Sequence, residues 1–272
     1  MKHWNRIFNK NKIVIGMIHT DALPGTPQNN NNISEIIKKA VKEAILYEQY
    51  KIDSIIIENM NDVPYLKKEI GSEIISSMSI ISSEVKKSVT IPVGIQILAG
   101  ANKAALAVAL AAELNFIRTE GFIFSHIADE GFFEADAGEL LRYRKYIGGE
   151  NIAIFTDIKK KHSSHSITAD IDINEFAHTA EFFLSDGVII TGQSTGCPTQ
   201  IDDLLNLKNI NIPIIIGSGL TAENISDYWD MANGFIVGSY FKEKGYWRNS
   251  LSEKRILKFT EKIEQLKAYK SI

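Results

Sequence analysis

Short apolar runs rich in isoleucine and valine recur along the chain, and amphipathic stretches separate most of them. Eight runs have the length and β-branched content of strands, at residues 13–18, 54–57, 91–98, 116–119, 152–158, 187–191, 212–216 and 235–237. The stretches between them carry helical periodicity. Ser34 is expected to cap a helix over 35–50, where Ile36, Ile37, Ala40, Val41, Ala44 and Ile45 form one apolar stripe. Asn102 is expected to cap 103–114, Thr221 to open 221–231, and Ser252 to open a last helix with Ile256, Phe259, Ile263 and Leu266 on one face.

Strand–helix alternation repeated about eight times means parallel strands joined by helical crossovers. A doubly wound open sheet shows the same alternation, but no G-x-G-x-x-G follows the first strand. Near the C-terminus stand IPIIIGSG (212–219) and GFIVGSY (234–240), each a β-branched run ending abruptly in Gly and Ser. Paired turns of this kind build the phosphate cradle after the seventh and eighth strands of a (β/α)8 TIM barrel. Gly217, Ser218, Gly219, Gly238 and Ser239 are therefore expected to bind phosphate, since glycine lets backbone N–H groups approach an anion closely. The plainer alternative is that these glycines only make tight turns. The expected fold is one α/β barrel over residues 1–272, with strands near 13–18, 54–58, 91–98, 116–120, 152–158, 187–191, 212–217 and 234–238. A length of 272 residues suits it, because such barrels run to about 250 residues.

Composition removes several classes. A net charge of -3 offers no basic field for nucleic acid. The apolar run 13–18, after a basic start, is too short for a signal peptide or a membrane span. Cys197 is the one cysteine, which excludes an intrachain disulfide and a cysteine-rich zinc site. The expectation is a cytoplasmic protein with no membrane insertion. A homo-oligomer stays open, since no helical stripe marks an interface.

Polar residues gather where the predicted strands end. His19 ends the first, Glu58 and Asn59 the second, Arg118 and Glu120 the fourth, and Asp157 the fifth, with Lys161 and His162 shortly after. The loop TGQSTG (191–196) follows the sixth, so Gly192, Ser194 and Thr195 join Asn59 and Arg118 as expected substrate contacts. Unpaired charge at such positions costs several kcal/mol, so these groups serve one another or a ligand. Glu58, Glu120 and Asp157 supply carboxylates whose surroundings can drive their pKa values apart, as acid–base catalysis needs. Arg118 and Glu120 share a strand face, and simple neutralisation of one by the other is the alternative. His19 reads as a proton shuttle or as a hydrogen-bonded structural histidine. Lys161 becomes an imine-forming lysine if desolvated, although the run 159–161 also reads as a solvated charge cluster. Cys197 has no evident base. No cofactor follows from these residues. A divalent metal is possible on His126, His162 and His165 with nearby carboxylates, but no H-E-x-x-H spacing supports it.

The ordered segments VIGMIHTDALPGTP (14–27), IIIENMNDVPY (55–65), GIQILAGANKAALAVALA (94–111), FIRTEGFIFSHIADEG (116–131), TDIKKKHS (156–163), GVIITGQSTG (187–196), IIIGSGLTAENI (214–225) and FIVGSYFK (235–242) resemble the BtpA/SgcQ family. The resemblance implies a phosphate-binding TIM barrel. It marks His19, Pro24, Gly25, Glu58, Asn59, Asp62, Arg118, Asp157, Lys161, His162 and the turn 217–219 as site positions. One of the family's names comes from photosystem I biogenesis, another from a gene cluster that looks like sugar handling. Ala99, Gly100 and Ala101 stand where many members carry an Arg-Asn-Asp type segment, and Glu120 where Asn is common. Both departures suggest a subgroup with its own substrate.

The expected function is an isomerase, lyase or hydrolase using acid–base chemistry on a small phosphorylated metabolite, such as a sugar phosphate or nucleotide-like compound. His19, Glu58, Glu120 and Asp157 would move protons, while Lys161 and His162 would orient substrate or neutralise developing charge. Two other readings are a non-catalytic assembly factor of the photosystem I type and a sensor that binds a phosphorylated ligand without turnover.

Overall fold

A computed structural model describes residues 1–192 and 196–269. Eight parallel strands close into a barrel in chain order: β1 (Ile13–His19), β2 (Ser54–Glu58), β3 (Val93–Gln96), β4 (Phe116–Thr119), β5 (Ala153–Ile158), β6 (Gly187–Ile190), β7 (Ile214–Ile216) and β8 (Gly234–Val237). β1 pairs with both β2 and β8, which completes the ring. The outer helices are α2 (Ile33–Gln49), α3 (Ser72–Ser88), α4 (Asn102–Ala111), α5 (Ala137–Tyr146), α6 (Ile173–Phe182), α7 (Ile201–Leu205), α8 (Ile225–Tyr228) and α9 (Glu253–Tyr269), while α1 (Lys2–Phe8) precedes β1. Among the described residues no helix is long and apolar enough to cross a membrane.

Side chains on alternate strand positions divide the core in two. Ile15, Met17, Ile56, Phe116, Phe155, Ile189, Ile215 and Ile236 fill the barrel interior. Gly94 makes room for this layer, since a Cβ there would lie 2.3 Å from the Phe116 ring. α1 joins the same cluster through Trp4 and Phe8, whose rings sit 6.0 Å from Phe155 and 5.8 Å from Phe116. The larger outer layer packs strands against helices, with Ile55, Ile57, Val93, Ile95, Ile117 and Ile154 fully buried.

Several local expectations change. Asn32, not Ser34, caps α2: its side chain accepts from Glu35 N at 3.0 Å and Glu35 Oε2 accepts from Asn32 N at 3.1 Å. Ser34 already lies inside the helix. Asn102 is the first residue of α4 and not its cap; its side-chain amide donates to Glu120 O at 2.8 Å and to Asp136, tying α4 to the exit of β4. The helix expected over 221–231 shrinks to α8, because Thr221 and Asn224 bond each other's backbone in a turn. The segment 121–137, between β4 and α5, holds secondary structure of its own. It contains a hairpin (His126–Ala128 and Gly131–Phe133) that joins Ser163–Ser164 in a three-stranded antiparallel sheet.

Candidate active site

Parallel strands deliver their C-terminal residues to one rim. The register sets His19 beside Glu58 and Glu58 beside Gln96, so three polar side chains stand on adjacent strands. His19 Nδ1 lies 3.3 Å from the carbonyl oxygen of Trp247, and its Nε2 lies 3.4 Å from Glu58 Oε2. A carbonyl can only accept, so Nδ1 carries the hydrogen and Nε2 is left with its lone pair toward Glu58. Burial, reinforced by the Lys242, Lys161 and Arg118 cations, pulls the His19 pKa down to about 3. The imidazole is thus neutral at ordinary pH. Burial pushes Glu58 the other way, above the usual carboxylate range, although Arg118 and Lys161 oppose it. Glu58 thus holds its proton more readily than a free carboxylate and faces the imidazole lone pair.

Arg118 does not neutralise Glu120. Its guanidinium makes a two-pronged contact across to β5, Nε to Asp157 Oδ1 at 3.1 Å and Nη2 to Asp157 Oδ2 at 2.8 Å. Burial opposes its charge, but Asp157 outweighs that and holds it ionised. Glu120, one residue past the strand, takes Lys160 at 3.2 Å, and that ammonium also sits 5.1 Å over the Phe133 ring. Glu120 Oε2 and Gln96 Oε1 are buried without a hydrogen-bond partner among the described residues.

His19, Glu58, Arg118 and Lys161 line one cleft of about 150 Å³ together with Gly217, Ser218, Gly219, Gly238 and Ser239. The glycine turns form the end farthest from β4 around the barrel. Gly219 sits at φ +68, and a Cβ there would fall 2.3 Å from Pro198 N, so the loop after β6 packs directly on this backbone. The Ser218 hydroxyl donates to Cys197 O at 2.9 Å and accepts from Gly192 N at 2.8 Å, which braces the same two loops. The Gly217 amide is likewise engaged, with Ile190 O at 2.8 Å. Arg255, from the first turn of α9, completes this end; its Nε donates to Tyr240 O and its guanidinium lies 4.4 Å over the Tyr240 ring.

Other expected site residues lie elsewhere. Asp157 and Glu120 stand behind the cleft and act through Arg118 and Lys160. Asn59 is buried, with its amide donating to Asp62 Oδ2 and its oxygen accepting from Leu98 N, both at 2.8 Å. Asp62 in turn accepts from Leu23 N, so the pair clamps the loops after β1, β2 and β3. Gly192 faces Ser218 and not the cleft. His162 is exposed and does not line the cleft. Ser194 and Thr195 lie outside the described residues. His126 stacks on Phe133 at 5.2 Å and lies 5.5 Å from the His165 ring. Among the described residues no group of three or more His, Cys, Asp or Glu comes together to hold a metal ion. Arg255, Met17, Met60 and Trp247 also reach the rim, and nothing in their own segments signals it, whereas Tyr240 closes the 234–240 turn.

A closed eight-stranded α/β barrel with a charged cleft at the C-terminal ends of its strands defines the TIM-barrel class. Within that class the chain belongs to the BtpA family, whose sequence profile matches residues 10–265. It is 47% identical over 270 residues to F13E9.13, an uncharacterised mitochondrial protein of Caenorhabditis elegans, with 97% of each chain covered. It is 33% identical over 260 residues to the photosystem I biogenesis protein BtpA of Synechocystis sp., covering 95% of this chain and 90% of that protein. Among solved structures, 3-hexulose-6-phosphate synthase superposes with a TM-score of 0.59 at 13% identity, covering 92% of this chain and 99% of that one. At such identity the likeness speaks for the fold.

Proposed function

We propose that this chain is an enzyme performing acid–base chemistry on a small phosphorylated metabolite, a sugar phosphate above all. The observation that carries the reading is the pairing, in one cleft, of a buried Glu58, its pKa raised by burial, facing neutral His19, with a glycine-turn end that holds Arg255. The backbone of Ser218, Gly219, Gly238 and Ser239, with the Arg255 guanidinium, would hold the phosphate. Glu58 would donate a proton to the substrate, and His19 Nε2 would help return it. Arg118, fixed by Asp157, would stabilise negative charge that develops on a substrate oxygen. The likeness in fold to 3-hexulose-6-phosphate synthase, a sugar-phosphate enzyme by name, supports this reading.

Proton transfer can be read before the reaction is known. In deuterated water the protein should wash deuterium into a bound sugar phosphate at carbon next to its carbonyl, seen by proton NMR. Glu58→Gln should slow this by about 100-fold or more with binding unchanged. Binding without exchange or product, equal in both proteins, would instead describe a sensor. An assembly role, which the name of the Synechocystis relative suggests, expects no response to phosphorylated compounds at all.

A further inference from the structure

Three lysines follow β5, and of these Lys161 lines the cleft. Lys159 lies 5.2 Å over the Phe176 ring, and Lys160 is bound by Glu120 at 3.2 Å. Lys161 is half-buried and lines the cleft with Glu58, His19 and Arg118. Its ammonium has no hydrogen-bond or ion-pair partner among the described residues. Each nearby carboxylate is engaged elsewhere: Glu58 faces His19, Asp157 is held by Arg118 and Glu120 holds Lys160. Burial first, then the Arg118 cation, lowers the Lys161 pKa. A lysine kept only to bind an anion gains from a neighbouring carboxylate, whereas this one is placed where its proton is disfavoured.

We propose that Lys161 Nζ is a nucleophile that forms an imine with the carbonyl carbon of a phosphorylated aldehyde or ketone. The inference rests on the enzymatic reading above and narrows its substrate class. In the addition, the Nζ lone pair forms the N–C bond and the C=O π pair moves to oxygen, which takes a proton from Glu58. In the dehydration, that hydroxyl leaves as water with a second proton, which comes from the nitrogen by way of Glu58, and the N=C bond forms. Amine, carbonyl and the Glu58 proton give a protonated imine plus water, with Glu58 left as carboxylate and no oxidant or reductant. The imine then serves as an electron sink for the adjacent carbon, the position whose hydrogen exchange was predicted above.

Two probes test this on the intact protein. Formaldehyde with cyanoborohydride methylates amines through an imine and needs no phosphate site. Peptide mass spectrometry should show Lys161 methylated at pH 7 ahead of exposed Lys38 and Lys254, with its labelling reaching a plateau at lower pH than theirs. Each unit by which an amine pKa falls raises its free-base fraction about tenfold. Labelling of Lys161 no faster than that of the exposed lysines, with the same pH profile, would overturn the proposal. Pyridoxal 5′-phosphate with borohydride then joins aldehyde to phosphate. Preferred labelling of Lys161 that inorganic phosphate blocks supports the nucleophile and the stated substrate class together. Fast methylation without such labelling would contradict the phosphorylated class while leaving the amine reactive, so the two failures are distinct.

Discussion

Between His19 and Glu58 one proton decides what the rim can do. With Nδ1–H on the Trp247 carbonyl, His19 cannot take a second proton without placing a buried cation near Lys242, Lys161 and Arg118. The unfolded chain has no such restraint and protonates near the ordinary value of about 6.5. Between that value and about 3, the unfolded state therefore binds a proton that the folded state refuses, so stability falls as pH falls. The loss from this one group reaches at most about 1.4 kcal/mol per pH unit. His19→Gln should remove that share of the slope, read as the difference between wild-type and variant urea denaturation from pH 7 to pH 4. His126, lowered to about 4 chiefly by burial, contributes to both proteins and cancels. At this scale the sequence marks the rim residues because each follows an apolar run. Their partners are a matter of register: His19 meets Glu58 across strands, and Arg118 finds Asp157 on β5 rather than Glu120 on its own strand.

The strand-to-glycine turns carry most of the predictable geometry. Gly219 combines a positive φ with backbone contact from Pro198, so Gly219→Ala should cost about 1–3 kcal/mol and displace the loop after β6. Its effect on ligand binding would therefore mix with damage to the loop. Gly238 is a cleaner place for a repelling charge, since a Cβ there comes no nearer than 3.5 Å to its neighbours. The helix starts make a sharper contrast. Asn32→Ala should lower stability by about 1 kcal/mol in chemical denaturation, and Ser34→Ala should change it little, because the capping box belongs to Asn32 and Glu35. Both residues are cap formers two positions apart, and the choice between them depends on where the chain leaves the β1 loop. The hairpin at 126–133 leaves no mark in the hydrophobic pattern for a related reason: its strands have three residues each, too few for a period.

On the scale of the whole molecule, the closed parallel barrel and its working face are written in eight apolar runs. What the pattern conceals is the other end. The chain start reads as a basic lead-in, yet Trp4 and Phe8 enter the barrel interior beside Phe116 and Phe155. Trp4 is fully buried, so Trp4→Ala should cost about 3–5 kcal/mol in denaturation while leaving the cleft at the opposite rim intact. Arg255 shows the same limit at the working face. It sits on a helix whose own stripe is amphipathic, and only closure of β8 onto β1 brings that helix beside the glycine turns.

The central claim is that this cleft takes a phosphorylated ligand between the glycine turns and the charged rim. Thermal unfolding of the wild type and of Gly238→Glu tests it most directly, against sugar phosphates, nucleotides, inorganic phosphate and the unphosphorylated sugars. A ligand at 100 times its Kd adds about 2.7 kcal/mol, a rise of a few degrees for a chain of this size. The account predicts that rise with a phosphorylated compound, none with its unphosphorylated counterpart, and none in Gly238→Glu. A folded wild type that answers to no phosphorylated compound, or a Gly238→Glu protein that answers equally well, would contradict it.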